Sequence, residues 1–422
     1  MLGWEYPPII NGGLGIACRG IAENLTKQVE LKVVLPHAST NLDKEKFVAL
    51  NDSLHQKILQ EAQERSYTFV DEIEYVDIDL FPYEQIVVDK KITKRIKISD
   101  LEDLIDDLEP DELDELHNEE VYGNNLALKV IAYSKFLKNY VRLNPVDVVY
   151  AHDWMTFLAA LELKKNLNIP FVAHVHSLCY DRSGVQDKGW IYRIEKEALQ
   201  EASKVISVSQ YTKDVLRDHY SIDTNKVTVI HNGIETVQMS RSVKPFPEKL
   251  VLFLGRVTSQ KGPETFLDIA DKVRQRYRNV RFVMAGDGDQ LKNVIETGAY
   301  RSIGDRFHFT GFLTRDKINR LLEMADVFCM PSVSEPFGLS AIEAAQYGIP
   351  AVISKQCGAL EVLDHALVAN YWESKRFAEH IIDILENEEL ASVLSVQVRK
   401  DIKNISWVGT SKKVLKVLKE VV

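Results

Sequence analysis

The chain has 422 residues, a formal net charge of −10 and 27% charged residues. This length exceeds one typical hydrophobic core and predicts two domains of roughly 200 residues each. The acidic balance, without a dense block of Lys and Arg, argues against nucleic acid or an anionic membrane as a partner.

The four cysteines lie in or beside apolar runs without C-x-x-C spacing, which favours buried thiols in a reducing cytoplasm over a disulfide or zinc framework. We expect neither a signal peptide nor a transmembrane span, because no apolar run approaches roughly 18 residues.

Short apolar runs alternate with longer helix-like segments, which predicts parallel β-sheets covered by helices. Most of these runs are continuously apolar and then end in Gly, His, Asp or Ser. This pattern is typical of a strand that is buried on both faces and whose carboxyl end opens onto a ligand crevice. The predicted strands lie within residues 31–36, 146–153, 171–177, 204–209 and 226–233 of the first half, and within 250–256, 280–288, 306–313, 326–332 and 350–354 of the second.

A polar segment with two prolines, 236–249, separates the two series and is typical of an interdomain linker. We therefore predict an α/β fold of two doubly wound, Rossmann-like domains, 1–240 and 241–404, that face a central cleft. We expect the last helix, within 405–422, to pack back onto the first domain. The strongly acidic stretch at about 90–120 is predicted to be a solvated surface insertion rather than a binding arm.

A glycine-rich turn precedes the first helical pattern, with Gly12, Gly13 and Gly15 in the stretch GGLG. Glycines at this point would let backbone N–H groups approach a phosphate at the positive end of a helix. The spacing is not G-x-G-x-x-G, so the turn by itself is more typical of an ordinary connection between a strand and a helix than of a phosphate site.

Two histidines, His174 and His176, share one face of a predicted strand because side chains alternate along a strand. Such a pair could bind a metal, but the sequence shows no third ligand at a suitable spacing, so we predict no metal site. A strand histidine is more often a core residue than a catalyst. His176 lies nearer the carboxyl end and is the better candidate to meet a substrate. His152 and Asp153 end the preceding predicted strand at the same rim.

Two cations follow a strand of the second half, in the stretch GRVTSQKGPE. Arg256 and Lys261 lie in the loop after this strand, and Pro263 opens the next helix. A bidentate guanidinium and an ammonium group at the carboxyl end of a strand suit a diphosphate. The alternative is that both are ordinary surface charges on a loop.

The stretch EPFGLSAIEAAQYG places two carboxylates around the start of a predicted helix. The amides of Gly338, Leu339 and Ser340 would be the unpaired donors that a phosphate accepts. Glu343 lies among apolar neighbours, where an unpaired carboxylate is costly, so it requires a donor. Ribose hydroxyls could be that donor, and an internal Arg or Lys is the alternative. Glu335 lies in the loop before the helix and is expected to face the crevice.

These motifs occur in the order of the retaining, nucleotide-sugar-dependent glycosyltransferases with two Rossmann-like domains (the GT-B architecture), which the chain resembles over nearly its whole length. The motifs are GGLG, HDW, SVSQYTKD, IHNG, GRVTSQKG, AGDG, TGFL and SEPFGLSAIEA. Within that group the chain looks most like the short archaeal and bacterial glycogen/starch synthases. The resemblance implies transfer of glucose from UDP- or ADP-glucose to an α-1,4-glucan in the cytoplasm, with retention of the α configuration and no further cofactor.

The resemblance also implies roles for individual residues. Arg256 and Lys261 would hold the diphosphate and stabilise the leaving group, Glu335 would contact hydroxyls of the donor sugar, and His176 would face this sugar near the reacting carbon. Further donor contacts are implied at Gly13, Gly15, Asp153, Gly311, Leu313, Gly338, Leu339, Ser340 and Glu343.

One departure concerns the acceptor. Glycogen synthases of bacteria place a Lys just before the glycine loop, where this chain has Ile10 and Asn11. The acceptor therefore stays open between a glucan and a lipid, a small sugar or a surface polysaccharide. An epimerase of nucleotide sugars and a non-catalytic regulator that binds nucleotide or glucan are the alternatives from other functional classes.

Overall fold

The computed structural model describes residues 1–8, 12–36, 46–49, 75–79, 93–97, 126–184, 188–235, 244–301, 304 and 306–422. The acidic stretch 99–120, the departure at 10–11 and most of the predicted linker, 236–243, lie outside the described residues. A membrane-spanning helix is not found in the part of the chain that is described.

The structure alternates strands and helices, as the sequence predicts. The strands are β1 (Val33–Leu35), β2 (Phe47–Ala49), β3 (Tyr75–Asp79), β4 (Thr93–Lys97), β5 (Val149–His152), β6 (Phe171–Val175), β7 (Lys204–Ser207), β8 (Val227–Val229), β9 (Lys249–Leu254), β10 (Val280–Ala285), β11 (Phe307–Phe309), β12 (Val327–Met330), β13 (Ala351–Ser354) and β14 (Leu367–Ala369). The helices are α1 (Gly13–Leu25), α2 (Leu126–Leu143), α3 (Trp154–Leu167), α4 (Cys179–Ser183), α5 (Trp190–Glu201), α6 (Gln210–Tyr220), α7 (Pro263–Arg276), α8 (Leu291–Tyr300), α9 (Arg315–Met324), α10 (Leu339–Gln346), α11 (Ser374–Glu386), α12 (Glu388–Asp401) and α13 (Trp407–Lys419). Short 3-10 turns lie at 224–226, 259–261 and 358–361.

The chain divides into two compact units, each with a Rossmann-like arrangement. The first unit comprises residues 1–208, 213–231 and 407–422, and the second comprises 209–212 and 232–406. The predicted α/β class with two doubly wound domains is confirmed. Each predicted run overlaps a strand, whereas β2, β3, β4 and β14 lie outside the predicted runs.

The second unit has one parallel sheet with the strand order β11-β10-β9-β12-β13-β14. Counted along this unit, the order is 3-2-1-4-5-6, in which the direction of winding reverses between β9 and β12. The loops that follow these two strands therefore diverge at the carboxyl edge of the sheet and leave a crevice. Phe253, Phe266 and Phe282 are buried in the core beneath them.

The sheet of the first unit has a similar arrangement, in which the amino-terminal residues of the chain occupy the central position. Leu2 bridges Val34 of β1 and Ala151 of β5 in parallel orientation, and the strands continue in the order β5-β6-β7-β8. The winding reverses at the Leu2 segment and β5, so the glycine turn before α1 and the end of β5 lie at this unit's own switch point.

The last helix, α13, belongs to the first unit and packs against α1. Trp407, Val414 and Leu418 share one hydrophobic cluster with Ala17 and Ile21. All four cysteines are buried free thiols, as the sequence analysis predicts.

Candidate active site

The switch point of the second unit brings the loops after β9 and β12 into direct contact. Gly262 ends the 3-10 turn 259–261 with φ 67°. A Cβ atom at this residue would lie 2.2 Å from the carbonyl oxygen of Pro331. Only glycine combines this backbone conformation with this close approach, so Gly262 sets where the preceding Lys261 lies relative to the loop after β12.

Lys261 and Glu335 form an ion pair across these two loops. The Glu335 residue is 5% exposed, and Ser332 Oγ donates to its Oε2 at 3.4 Å. Its backbone is fixed because its N–H donates to the Gln356 carbonyl oxygen and its own carbonyl accepts from the Gly358 N–H. The structure therefore brings together two residues that the sequence analysis assigns to the diphosphate and the donor sugar.

Arg256, the other predicted cation, is exposed in the loop after β9. Its guanidinium has no ion-pair partner among the described residues. An exposed guanidinium at the carboxyl edge of a parallel sheet remains available for an anionic ligand.

Helix α10 begins in the crevice, directly after Glu335 and its following turn. Gly338 precedes it with φ 91°, a conformation that favours glycine. The amides of Ala341 and Ile342 donate to the Gly338 carbonyl oxygen. Those of Leu339 and Ser340 precede the first helical hydrogen bond and are the donors that a phosphate would accept.

Glu343 has an internal cation as its partner. Its Oε1 accepts from Nη1 of Arg315, the first residue of α9, at 2.6 Å. Of the two donors that the sequence left open for Glu343, the internal arginine is present. Arg315 is a contact that sequence reasoning missed, because it lies 28 residues earlier and meets Glu343 only through the fold.

Gly311 and Leu313 follow β11, at the far side of the same sheet edge. Gly311 has φ 64°, and its carbonyl oxygen accepts from the Gly286 N–H at 3.1 Å. Leu313 is half-buried just before α9. Their predicted contact with the base stays a prediction.

In the first unit, Gly13 opens α1 and Gly15 is buried in its first turn. Asp153 directly follows β5 and has φ 59° and ψ 171°, a combination that is strained for a residue other than glycine. Its Oδ1 accepts from the backbone N–H groups of His176 at 2.7 Å and Ser177 at 3.3 Å. Burial raises the pKa of this carboxyl to about 7.

His152, His174 and His176 lie together where β5 and β6 end, and we call them the histidine cluster. His152 and His174 are partners in the parallel register of these strands, and His152 Nδ1 lies 2.9 Å from His176 Nε2. The ring centroids of His174 and His176 are 4.1 Å apart. Burial lowers the pKa of all three imidazoles, to about 3 for His176. The third imidazole is His152, which the sequence placed at the same rim but not among the possible metal ligands.

The comparisons with known proteins agree with this geometry. Residues 235–401 match the family model described as glycosyl transferases group 1, and residues 102–238 match the model described as glycosyltransferase family 4. The chain is therefore a glycosyltransferase, with a group 1 match in its second half. The two models meet close to the junction of the two structural units.

Relatives of this glycosyltransferase carry different specificities. It is 27% identical over 442 residues to an uncharacterised glycosyltransferase of Methanocaldococcus jannaschii, a match that covers 99% of this chain and 97% of the relative. It is 28% identical over 228 residues to a glycogen synthase of Mycobacterium tuberculosis, covering 51% of this chain and 54% of the relative. The solved sucrose-phosphate synthase of Thermosynechococcus elongatus has the same GT-B fold, with a TM-score of 0.72 at 17% identity over 100% of this chain and 98% of that one.

A buried carboxylate, Glu195 of α5, organises the loop that follows β6 in the glycosyltransferase. It accepts from the Cys179 N–H at 3.0 Å, the Arg182 guanidinium at 3.0 Å and the Tyr220 hydroxyl at 2.6 Å. Burial is the largest influence on this carboxyl and raises its pKa to about 6. An acidic residue within an amphipathic helix carries no sequence signal of such a network, because its partners come from two other helices, α4 and α6.

Proposed function

We propose that the protein transfers glucose from UDP- or ADP-glucose to an α-1,4-glucan with retention of the α configuration. One observation carries the proposal: the switch-point loops of the second unit hold Lys261, Glu335 and the start of α10 together at the edge of the sheet. This is where open α/β sheets bind nucleotides. The family match supports a nucleotide sugar as donor and a glycan as acceptor.

Each part of the donor has a chemically matched group in the second unit. The diphosphate suits Arg256, Lys261 and the first amides of α10, since these supply cations and unpaired N–H donors. The Glu335 carboxylate suits hydroxyls of the sugar. Glu343 accepts from Arg315 on one oxygen and can accept from a ribose hydroxyl on the other.

In the proposed step, the bond between the anomeric carbon and the diphosphate oxygen breaks, and an acceptor hydroxyl oxygen bonds to this carbon on the same face. The hydroxyl proton passes to the departing phosphate oxygen. Arg256, Lys261 and the helix amides stabilise the negative charge that develops on the diphosphate. The proposal also keeps the donor contacts that the sequence predicts at six further residues. These are His176, Asp153, Gly13 and Gly15 of the first unit and Gly311 and Leu313 of the second.

The glucan acceptor is supported by the glycogen synthase of M. tuberculosis among the relatives. That match spans 51% of this chain, so a lipid, a small sugar or a surface polysaccharide remains the competing acceptor class.

The test supplies purified protein with labelled UDP-glucose or ADP-glucose and, separately, glycogen, short maltooligosaccharides or a lipid acceptor. Nucleotide release and chain extension are measured together, and the anomeric configuration of the product is determined by NMR. Extension of glycogen with an α linkage is expected. Transfer only to another acceptor would replace the glucan, conversion of the donor without any acceptor would indicate an epimerase, and binding without turnover would indicate a regulator.

A further inference from the structure

The histidine cluster of the first unit buries polar atoms that the surrounding protein does not satisfy. His152 Nε2, His174 Nε2 and His176 Nδ1 are buried without a hydrogen-bond partner. A buried polar group that is left unpaired destabilises the folded state. Three of them in one cluster of neighbouring rings indicate a ligand that accepts electron pairs from nitrogen.

The spacing of the nitrogens points to a single small ion. One nitrogen from each ring lies within 4.8 Å of the other two. His152 Nδ1 and His176 Nε2 lie 2.9 Å apart and share a hydrogen bond, which an ion bound between these rings would replace. Tetrahedral zinc with bonds of about 2.0–2.1 Å sets its ligand nitrogens about 3.4 Å apart. Ring rotations that move each nitrogen by about one ångström or less would therefore bring the nitrogens from their present spacing to the spacing of zinc ligands.

We propose that His152, His174 and His176 bind one divalent transition-metal ion of the zinc class. Three imidazoles without a carboxylate form a nitrogen set that suits zinc and its neighbours in the first transition row, whereas magnesium and calcium require oxygen ligands. Three protein ligands leave a fourth position for water or another oxygen ligand. His176 is the least buried of the three, so the fourth position opens on its side.

The residues around the cluster orient the rings. The Tyr150 hydroxyl lies 2.6 Å from His174 Nδ1, which fixes this ring with Nε2 presented to the cluster. Asp153 accepts from the backbone N–H of His176 and fixes the end of β6. Such outer contacts are typical of metal-ligating histidines.

The metal site does not depend on the proposed transfer reaction. His176 has a predicted place near the donor sugar, so a change at His176 would affect both proposals. His174 and Tyr150 have no assigned part in transfer, and they are the positions at which metal binding is tested separately.

The experiment uses the full chain without a polyhistidine tag, stripped with a chelator and then dialysed against zinc, magnesium or buffer alone. Mass spectrometry of the metal content is expected to find one zinc ion per chain and no retained magnesium. Zinc should raise the thermal denaturation midpoint, since a ligand that binds only the folded state stabilises it. Substitution by cobalt should produce the visible absorption of a tetrahedral nitrogen site.

His174→Gln is expected to abolish the stoichiometric zinc, and Tyr150→Phe to weaken zinc affinity about 10–100-fold. His308→Gln, at an exposed position in the second unit, is the matched control and should bind like the wild type. If His174→Gln does not fold, Tyr150→Phe and the cobalt spectrum of the wild type decide. The proposal is overturned if wild-type protein retains no zinc, or if Tyr150→Phe and His174→Gln both bind zinc as tightly as the wild type.

Discussion

Lys261 and Glu335, 74 residues apart in sequence, form an ion pair at the switch point of the second unit. The side chains are 19% and 7% exposed, so the pair is largely removed from water. A buried ion pair is weak evidence for stability, because desolvation offsets much of the attraction. The ion pair instead holds a cation from the loop after β9 next to a carboxylate from the loop after β12. This arrangement favours a role in ligand binding.

Replacing Lys261 by Ala is expected to lower the transfer rate by about 100-fold or more, because it removes a cation from the leaving diphosphate. The measurement is kcat with labelled nucleotide-glucose, at a temperature where calorimetry shows both proteins folded. Lys244→Ala is the matched control, since Lys244 forms an ion pair with Asp326 in the same unit. A Lys261→Ala enzyme within a few-fold of wild-type turnover would contradict the proposed mechanism.

Glu343→Gln is expected to raise the dissociation constant for the donor nucleotide about tenfold, which corresponds to about 1.4 kcal/mol. The loss comes from a weaker acceptor for the ribose hydroxyl. Arg315→Ala should change this constant by much less, because it removes only the internal partner. Calorimetric titration with UDP and ADP measures both, and Glu379→Gln, which pairs with Arg376 on the surface, is the control. Equal losses for Glu343→Gln and Arg315→Ala would instead assign the pair to structure.

Gly262→Ala is expected to lower the melting temperature by about 4–8 °C, the effect of roughly 2 kcal/mol in a domain of this size. Two causes add: φ of 67° is strained for Ala, and the new Cβ would lie 2.2 Å from the Pro331 carbonyl oxygen. Differential scanning calorimetry measures the change. Gly304→Ala, where a Cβ meets nothing within 4 Å, should melt like the wild type. An unchanged melting temperature for Gly262→Ala would show that the two loops separate readily.

Stability of the first unit is expected to depend on the protonation of Glu195. Its pKa is raised by burial from 4.5 to about 6, so the folded state binds more protons than the unfolded state between these values. The free energy of unfolding should therefore fall as pH rises from 4.5 to 6, by up to about 2 kcal/mol, and stay level above. The charge of Arg182 and the hydrogen bond from Tyr220 lower the pKa of the Glu195 carboxyl, whereas the charge of Asp181 raises it. Desolvation also raises the pKa of Tyr220.

The comparison of wild type with Glu195→Gln isolates this dependence, because Gln keeps the shape and does not titrate. The stability difference between the two proteins should shrink or reverse between pH 4.5 and pH 6. Glu201→Gln is a control of opposite sign, since hydrogen bonding to Lys164 lowers the pKa of Glu201. If the stability difference between wild type and Glu195→Gln does not change with pH, the raised pKa of Glu195 is contradicted.

Several features follow from sequence patterns alone. Continuous apolar runs that end in small or polar residues require strands buried on both faces, so β5, β6, β9, β10, β12 and β13 could be predicted without a structure. The same patterns place Arg256, Lys261 and Glu335 after strands, at a sheet edge. The edge strand β14, Leu367–Ala369, was missed because its short apolar stretch ALVA is equally typical of a buried loop or helix segment.

The α/β class, the two Rossmann-like domains and the loops that carry the chemistry could be predicted from sequence, because these depend on local periodicity and on glycine, proline and charged residues at strand ends. Which of these side chains meet could be learned only from the folded chain. Strand order pairs His152 with His174, places Arg315 on Glu343 and gathers Arg182 and Tyr220 around Glu195. Such pairs depend on contacts between distant segments, which local pattern does not encode.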